Sequence, residues 1–479
     1  MGVKRRHFIA AGAGGLALGS AAAQAASAGK PPHIVFIMAD DLGWGDLSCF
    51  GQTEYQTPHL DALAAGGQRL RHAYANSPVC SASRTALITG RYQYRLRVGL
   101  EEPIPGPNSP HGLAPEQPTL PGLLHAAGYH SALVGKWHLG HGPQFGPLKG
   151  GYQEFYGNLG GGVDYFSHKD GADAKARLDF WDGDKAVQTT GYYTDLLSDR
   201  AVQILRRHAA PEAKPLFLSL HYTAPHWPWE GPDDEAMSRR IKSLIHHDGG
   251  SLEIYGRMVQ AMDSGVGRVL RALDEAGMAD NTLIVFTSDN GGERFSRMWP
   301  LSGQKTELLE GGIRVPTLLR WPAQIKPGVS DQVAIGMDWL PTLLAAAGAP
   351  AYAATDGINL LPLLKGEQAP QPRKLFWRYK AQGQRALREG EYKYLRIKGR
   401  EFLFNVLRDP RERANLASLE PARLATLRAD WEAWNASMLP ITPEVFTHWV
   451  RGDRQADRYG VEDAEPSAKG AGSAPVQGR

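Results

Sequence analysis

The sequence predicts an α/β fold: a mostly parallel central sheet with helices on both faces, plus a small C-terminal antiparallel sheet packed with one helix. Several apolar, β-branched runs are continuous rather than alternating, which is typical of strands buried on both faces of a parallel sheet. Helical patterns lie between these runs, as in α/β folds. After about residue 370 the pattern changes to short strands separated by turn residues. The buried runs are 33–38, 215–221 and 282–288, together with the first part of 128–140.

The composition is that of an ordinary soluble globular protein. The chain has 479 residues, 42% hydrophobic and 22% charged, which is enough for one large domain and a smaller one. Its 55 glycines and 33 prolines indicate many loops over a substantial core, as in enzymes whose sites are built from loops at strand ends. Apart from the export signal described next, no segment is predicted to span a membrane.

The first 28 residues predict a twin-arginine export signal. Arg5-Arg6 ahead of Phe8, an apolar run of small residues and the cleavage site Ala26-Ser27-Ala28 form the pattern. The run is too short for the alternative, a membrane anchor. The prediction implies the twin-arginine export machinery as a partner and a periplasmic or secreted protein. Cleavage removes three cations and no acid, so the formal charge falls from +3 to zero. A neutral protein gives no electrostatic reason to bind nucleic acid or an anionic membrane.

The first buried run, 33–38, leads into two adjacent acids, Asp40 and Asp41, followed by glycines. Open α/β sheets bind their ligands at the carboxyl ends of strands. Paired carboxylates repel each other unless a cation neutralises them, so a hard divalent ion is the economical explanation. A solvated turn with an Asp cap is the alternative interpretation.

Two helices are predicted next, a scaffold helix at 57–64 and a second one that begins near Cys80. Pro78 and the serines around Cys80 favour a turn, and 85–88 forms an apolar helical turn. Cys80 is therefore predicted at a helix N-terminus, where backbone N–H groups favour an anion or a nucleophile. Arg84, four residues on, is predicted to share its face. A buried cysteine that only starts a core helix is the alternative.

A helix at 120–127 precedes the strand and polar tip of 128–140. Lys136 and His138 are two residues apart, so on an extended backbone they face the same side. One supplies positive charge and the other a proton-transfer group. Solvent exposure of both side chains is the alternative interpretation.

The segment 145–188 is interpreted as a long insertion near the substrate, and 193–206 as a helix. The buried run 215–221 leads into an aromatic loop in which His226 stands between two prolines. Trp227 and Trp229 in this loop are candidates for a stacking wall against a ring substrate, and packing is the equal alternative for each.

A long amphipathic helix at 252–276 is predicted to cover the sheet, and the run 282–288 leads into Asp289 and Asn290. Together with the first acid pair, these residues provide four oxygen-bearing side chains from two strand ends. Such a set suits Ca²⁺, with Mg²⁺ as the alternative. Zinc is a poorer fit, because the sequence has no His–Cys cluster at metal-ligand spacing.

The C-terminal part is predicted to be a separate small α+β domain. Its elements are short strands at 375–379, 384–388, 392–397 and 402–406, and a helix at about 421–434. The predicted boundaries are a catalytic domain at 29–369, the C-terminal domain at 370–450 and a polar, mobile tail at 451–479.

Taken in order, the motifs resemble the signatures of the type I, formylglycine-dependent sulfatase family. The run Cys80-x-Ala82-x-Arg84, followed by Thr-Gly-Arg, resembles the first signature, although most members have Pro where Ala82 stands. The Gly-Lys-Trp-His sequence that ends at His138 resembles the second signature. The loop with Lys305 and the following Glu-Gly-Gly-Ile-Arg-Val-Pro run are also similar to family elements. The motif order resembles the arylsulfatase A and N-acetylgalactosamine-6-sulfatase branch.

The resemblance implies an alkaline-phosphatase-like fold and a sulfuric ester hydrolase that cleaves aryl or carbohydrate sulfate esters. It implies that a formylglycine-generating enzyme oxidises Cys80 to formylglycine, whose gem-diol attacks sulfur and gives a covalent sulfo-enzyme intermediate. His226, with Lys305, would protonate the leaving group, and His138 would accept the proton whose loss expels the sulfate. The sulfate would be stabilised by Arg84, Lys136 and Lys305, and the metal held by Asp40, Asp41, residue 80, Asp289 and Asn290.

Two other functions stay open: a phosphonate monoester or phosphodiester hydrolase of the same superfamily, and a non-catalytic carbohydrate-binding relative in which Cys80 stays a thiol. The two cysteines also allow two interpretations. A Cys49–Cys80 disulfide is the default in an exported protein. The resemblance instead implies that Cys80 is oxidised and that Cys49 is a lone, buried thiol.

Overall fold

The structure is a computed structural model that describes residues 30–245 and 249–449. The predicted export signal at 1–28 and the predicted tail at 451–479 lie outside the described residues. The strands are β1 (His33–Ala39), β2 (Gln68–Leu70), β3 (Ala73–Tyr74), β4 (His130–Gly135), β5 (Glu154–Gly157), β6 (Trp181–Asp182), β7 (Lys185–Ala186), β8 (Leu216–His221), β9 (Thr282–Ser288), β10 (Thr317–Arg320), β11 (Gly328–Ser330), β12 (Ala334–Ile335), β13 (Lys374–Tyr379), β14 (Gln384–Glu389), β15 (Tyr392–Ile397) and β16 (Arg400–Asn405).

Among the described residues, ten strands form a central sheet in the order β11-β2-β10-β9-β1-β8-β4-β5-β6-β7. The middle of this sheet, from β9 to β5, is parallel throughout. β10 and β6 are antiparallel to their inner neighbours. The four buried runs of the sequence are the adjacent strands β9, β1, β8 and β4, so the prediction of a mostly parallel central sheet is confirmed.

Helices cover both faces of the sheet. The α-helices of the described residues are α1 (Pro58–Ala65), α2 (Cys80–Thr89), α3 (Leu120–Ala126), α4 (Gly142–Phe145), α5 (Tyr193–Arg207), α6 (Glu235–Ser238), α7 (Leu252–Glu275), α8 (Glu310–Ile313), α9 (Trp339–Ala346), α10 (Leu361–Leu364) and α11 (Pro421–Ala436). Val35 and Ile37 of β1 pack with α1, α5 and α7, whereas Ile34 and Phe36 pack with α2, α3 and α9. Because each face meets a different helix layer, the run 33–38 is apolar at every position.

The C-terminal sheet, β13 to β16, is antiparallel, and one of its faces is covered by α11. Its other face packs on the layer that carries α2, where Trp377 and Leu395 share a buried cluster with Val79 and Ala86. The indole nitrogen of Trp377 also donates to the carbonyl of Ala75 at 2.9 Å. The predicted strands and helix are confirmed, while the domain boundary at residue 370 stays a prediction.

The segment 145–188 differs from the predicted insertion because part of it belongs to the central sheet. β5 pairs in parallel with β4, and the β6–β7 hairpin extends the sheet beyond it. β5 has only four residues and alternates buried with half-buried side chains, so it lacks the continuous apolar run that identified the other parallel strands. In the described part of the chain, no helix has the length and hydropathy needed to cross a membrane.

Candidate active site

The candidate site lies where β1 and β9 end. These strands are adjacent and parallel, in a register that ends them at the same level. Asp40 and Asp41 therefore leave the sheet beside Asp289 and Asn290, and the amide N–H of Asp41 donates to Oδ1 of Asp289 at 3.3 Å. All four side chains are buried. The structure thus brings together the acid and amide residues that the sequence indicated as metal ligands.

Cys80 is the first residue of α2 and approaches these acids from the other side. Val79 before it is extended, so the free N–H groups of the first helical turn surround the cysteine. The Sγ atom lies 3.4 Å from Oδ1 of Asp40 and 4.0 Å from Oδ1 of Asp41. Cys80 is only 2% exposed, and burial with the nearby Asp40 charge raises the pKa of its thiol well above the usual value. Both Cys80 and Cys49 are free, so the structure has no disulfide between them.

The acid cluster carries more negative charge and more unused oxygen than its protein neighbours satisfy. Burial, with Asp289 and Asp41 nearby, raises the pKa of Asp40 to about 7 in spite of the neighbouring cations. Asn290 donates from Nδ2 to Oδ1 of Asp41 at 2.6 Å, whereas its own Oδ1 is buried and has no hydrogen-bond partner among the described residues. An unpaired buried amide oxygen is costly unless a ligand binds it. One ligand atom from each of Asp40, Asp41, Cys80 and His226 lies within 4.8 Å of the others. This oxygen-rich set fits a hard divalent cation.

Arg84 lies one turn after Cys80 in α2 and is 2% exposed. Its Nε and Nη2 contact Oδ2 of Asp289 at 3.0 and 2.9 Å, and Nη1 donates to the carbonyl of Lys136 at 3.0 Å. Burial alone would raise the pKa of Asp289, but Arg84, Lys136 and Lys305 together hold it below its ordinary value. The guanidinium is thus fixed as a cation by an ionised carboxylate.

Two buried lysines, Lys136 and Lys305, add positive charge to the site. The ammonium group of Lys136 is paired with the carboxylate of Asp40. Nζ of Lys305 lies 2.6 Å from Oδ2 of Asp41 and 3.8 Å from Oε2 of Glu293. Burial alone would lower the pKa of Lys305, but Asp41 and the other nearby acids raise it well above its ordinary value. Lys305 is therefore a cation at neutral pH.

His138 follows β4 and has a defined tautomer. Its Nε2 lies 3.2 Å from the carbonyl of Ile104, so this nitrogen carries the proton. Its Nδ1 is buried and has no hydrogen-bond partner in the part of the chain that the structure describes. Burial, followed by the charges of Lys136 and Arg84, lowers the pKa of His138 well below its usual value. Gly161 lies against the ring, since a Cβ there would be 2.6 Å from Cε1. A neutral imidazole with a free Nδ1 lone pair can accept a proton.

His226 lies in the loop after β8 and has the opposite tautomer. Its Nδ1 is 2.7 Å from the carbonyl of Trp227, so Nδ1 carries the proton. Its Nε2 lies 3.6 Å from Oδ2 of Asp41. The Trp227 ring centroid is 4.1 Å from that of His226. Burial, followed by Lys305, lowers the pKa of His226 well below its usual value. A proton on Nε2 would therefore be given up readily.

Sequence reasoning missed the residues that hold these groups in position. Gln384 in β14 donates from Nε2 to the carbonyl of Thr306 and accepts from the amide of Leu308, which fixes the loop next to Lys305. Its partners are more than seventy residues away, so no local pattern could reveal it. The three glycines at 160–162 could have been identified from the sequence, because consecutive glycines indicate that another group packs closely against the backbone. In the structure these groups are the rings of His138 and His226.

Backbone strain is also concentrated at the site. Asp41, His138 and Thr306 have φ values of 60°, 56° and 73°, a backbone region that residues other than glycine rarely adopt. Each such residue costs about 1–3 kcal/mol and persists only where its surroundings fix it. The two strand-end loops and the Lys305 loop are therefore held by the rest of the fold in the conformation that directs their side chains inward.

Asp46 holds the two ligand-bearing loops together. Its carboxylate accepts hydrogen bonds from the amides of Gly43 and Arg297 and from the hydroxyls of Tyr55, Tyr255 and Ser296. We expect Asp46→Asn to lower the free energy of unfolding by about 2–4 kcal/mol, measured by urea unfolding. Each carboxylate oxygen accepts from a backbone N–H, so in either orientation the new NH₂ group faces a donor.

The matched control is Asp184→Asn in the exposed β6–β7 turn, which is expected to change the free energy of unfolding by less than about 0.5 kcal/mol. Equal unfolding curves for the two variants would show that Asp46 does not hold the loops.

The fold and the site define an α/β enzyme with the alkaline-phosphatase-like arrangement. The chain belongs to the sulfatase family: the family model described as Sulfatase matches residues 32–349. A second model, described as N-sulphoglucosamine sulphohydrolase, C-terminal, matches residues 304–427. Human N-acetylgalactosamine-6-sulfatase is 34% identical over 378 residues, which is 73% of this chain and 69% of the relative. Human arylsulfatase A is 34% identical over 400 residues, 76% of this chain and 74% of the relative.

Solved structures agree with this assignment. The crystal structure described as Ps i-CgsB in complex with k-i-k-neocarrahexaose is 32% identical, has a TM-score of 0.77 and covers 90% of this chain and 98% of that chain. The phosphonate monoester hydrolase of Agrobacterium radiobacter has a TM-score of 0.60 at 20% identity and covers 85% of this chain and 95% of that chain, so it shares the fold. The chain is therefore a sulfatase by family, fold and relatives.

Proposed function

We propose that this protein hydrolyses aryl or carbohydrate sulfate esters with residue 80 as the nucleophile, after Cys80 has been converted to formylglycine. The observation that supports the proposal most is the buried convergence of Cys80 with a carboxylate pair and three fixed cations. Such a pocket suits a small, tetrahedral anion whose charge must be neutralised as it is transferred.

The cysteine as encoded is a poor nucleophile for this task. Its pKa is raised, and among the described residues its hydrogen-bond partners are two carboxylates, so the thiol stays protonated. The first helical turn at Cys80 leaves backbone N–H groups free to face an oxygen at this position. When formylglycine is formed here, its hydrated aldehyde supplies the attacking hydroxyl. A formylglycine-generating enzyme is the partner that this proposal requires.

Three cations neutralise the sulfate as charge moves to the leaving oxygen. Arg84 offers a rigid fork fixed by Asp289, and Lys136 and Lys305 are point charges held by the carboxylates described above. Because all three are buried, their interaction with the transferring group is weakened little by water. Their positions are fixed before the substrate arrives, so no reorganisation is needed during the reaction.

The two histidines have complementary roles in moving protons. His226 holds its Nδ1 proton on a carbonyl, so it acts as an acid only after Nε2 has taken up a second proton, which the imidazolium then donates to the leaving alcohol or phenol, assisted by Lys305. His138 has a free Nδ1 and no acidic proton at that atom, so it accepts a proton when the sulfate is released. Their tautomers are set by different carbonyls, which keeps the acid and the base distinct.

A divalent cation would be held by Asp40, Asp41, residue 80, Asp289 and Asn290. Ca²⁺ is the proposed ion, with Mg²⁺ as the alternative, because the ligand atoms are oxygens. When bound, the ion would supply Lewis acidity for the transfer of the sulfate. It would also satisfy the buried Oδ1 of Asn290 and keep the acid pair ionised.

Removal of the ion is expected to destabilise the protein. A ligand present at about 100 times its Kd stabilises the folded state by about 2.7 kcal/mol, so dialysis against a chelator should lower Tm by several degrees. Differential scanning calorimetry with added Ca²⁺, Mg²⁺ or Zn²⁺ identifies the ion that restores Tm. Asn290→Ala should abolish the restoration, and an unchanged Tm in the chelated protein would argue against a resident cation.

Carbohydrate sulfate esters are the favoured substrate class. Relatives named for N-acetylgalactosamine-6-sulfate and a structure with a bound neocarrahexaose support it, as does Trp227, whose half-buried ring lies against His226. Trp229 has a different role, because it is buried and packs on Phe295. An aryl sulfate is also compatible with stacking against the ring of Trp227.

The decisive assay compares turnover of an aryl sulfate, an aryl phosphonate and a phosphodiester by the purified, metal-loaded protein. The sulfate should be hydrolysed with the highest kcat/KM. A higher kcat/KM for the phosphonate would favour the alternative hydrolase, whose relative shares the fold. Binding of sulfated sugars without turnover would favour a non-catalytic relative, and the intact set of site residues argues against that function.

Export is proposed on the sequence alone. The twin-arginine motif implies a folded precursor that is carried to the periplasm or beyond. Fractionation of the native host, with N-terminal sequencing of the mature chain, tests both the location and cleavage after residue 28.

A further inference from the structure

A row of three arginines crosses the C-terminal sheet. Arg378 on β13 is paired directly with Arg385 on β14, which is paired directly with Arg396 on β15. All three point to the face that carries α11, because Leu387 and Tyr394, two residues away along the same strands, pack on that helix. Like charges directly opposite each other destabilise a sheet. The fold therefore retains an arrangement that packing alone does not favour.

In the described part of the chain no carboxylate forms an ion pair with these arginines, although Glu102 lies close enough to Arg378 to offset part of its charge. Among the described residues, no carboxylate lies within 4 Å of the guanidinium groups of Arg378, Arg385 or Arg396. The next residue in the row is Glu401 on β16, directly opposite Arg396. Glu401 is bound by Arg428 instead, at 2.7 and 2.9 Å. The row is thus a local excess of positive charge in a chain that has nearly equal numbers of acids and bases.

The cations are held in place before any ligand arrives. Arg378 is 4% exposed and donates to Oδ1 of Asn435 at 2.7 Å and to the carbonyl of Leu439, while its buried Nε has no hydrogen-bond partner within residues 30–245 and 249–449. The guanidinium of Arg385 lies 4.5 Å above the ring of Trp431. Both arginines are therefore rigid, which lowers the entropy lost on binding an anion.

The arginines line an open groove of about 600 Å³ between the end of the sheet and the C-terminal end of α11. Lys380 lines the same groove, and no acid does so in the described part of the chain. Ligand pockets have volumes of about 300–1,000 Å³. Strands lie about 4.8 Å apart, so the three arginine positions span roughly 10 Å, with Arg385 and Arg396 half-exposed and Arg378 buried. A single small anion needs no such row, whereas a chain with repeated anionic groups matches it.

We propose that this groove binds a sulfated carbohydrate chain at a site separate from the catalytic pocket. This proposal rests on the proposed function, because it specifies the substrate class as an oligomer or polymer with several sulfate groups. Sulfate oxygens suit the planar fork of arginine, as phosphate oxygens do. Gln384 lines the groove and also fixes the loop that carries Lys305. A chain held in the groove is therefore close to the protein segment that holds the reacting sulfate.

The test measures binding of size-fractionated dextran sulfate by isothermal titration calorimetry. Arg385→Ala with Arg396→Ala is expected to weaken binding about 100-fold, since each charge-assisted contact contributes about tenfold. Arg396→Lys keeps the charge and should retain most of the affinity. Lys326→Ala removes an exposed cation outside the groove and should have no effect. Added salt should weaken binding by the wild type more than binding by the double variant.

Activity on a small aryl sulfate separates this proposal from the proposed function. The double variant should keep the wild-type kcat/KM on that substrate, and its Tm should not fall, because the change removes repulsion between neighbouring strands. Equal dextran sulfate affinity in the wild type and the double variant would overturn the proposal. So would equally tight, arginine-dependent binding of duplex DNA or of uncharged dextran. Arginine-dependent binding without any turnover would support the groove and contradict the proposed function.

Discussion

Replacing Cys80 with alanine is expected to abolish sulfate-ester hydrolysis, with kcat/KM falling by about 10⁴-fold or more. The substitution removes the nucleophile and leaves the other groups of the site in place. Ala82 and Ala86 already occupy α2, so an alanine at its first turn is compatible with the helix. The protein should therefore fold and should still bind a sulfated ligand. Steady-state kinetics on an aryl sulfate and calorimetric binding of the same ligand measure the two properties separately.

The matched control is Cys49→Ala, which removes the other free thiol. Cys49 lies after β1, is half-buried and has its amide bound by Asp61 at 2.9 Å. Activity should be unchanged, because the backbone and the thiol of Cys49 contact Asp61, which is not one of the site residues. The tryptic peptide that contains residue 80, from protein made in its native host, should have the mass of the aldehyde or its hydrate. An active Cys80→Ala enzyme, or a peptide that keeps its thiol in an active enzyme, would contradict the proposed mechanism.

The sequence predicted the parts of the site that depend on strand ends. A continuous apolar run followed by acids identified β1 and β9, and in a parallel sheet such runs end at the same edge. That rule brought Asp40, Asp41, Asp289 and Asn290 together without any alignment. The helix start at Cys80 followed from turn and cap residues, and the four-residue spacing to Arg84 followed from helix geometry. Periodicity is a local property, so it can be seen in a single chain.

Other features depend on tertiary contacts and had no local signal. Asp46 looks like any acid after a glycine turn, yet it accepts from residues 250 positions away. The tautomers of His138 and His226 are set by the carbonyls of Ile104 and Trp227, and a backbone carbonyl has no sequence signature. The paired arginines of the C-terminal sheet became visible only when the register was known, since a shift of one residue would separate their side chains.

The second large effect is expected at His226, and it should depend on the leaving group. His226→Ala removes the group whose Nε2 donates to the departing oxygen, so a poor leaving group should suffer most. For a carbohydrate sulfate, whose alkoxide needs a proton, kcat should fall by about 10³–10⁴-fold. For a nitrophenyl sulfate, whose phenolate leaves without help, the loss should be about tenfold. Assays with a series of substituted phenyl sulfates give the Brønsted slope, which should be steeper for the variant.

The controls separate proton donation from support of the fold. His226→Gln retains a polar side chain beside Asp41 and Trp227 but has no proton to give, so its leaving-group dependence should match that of the alanine variant. His125→Ala at an exposed position of α3 should leave both substrates unaffected. If the losses at His226 were equal for sugar and nitrophenyl esters, the residue would act by holding the sulfate. The acid would then be Lys305, whose ammonium group is the other proton source beside Asp41.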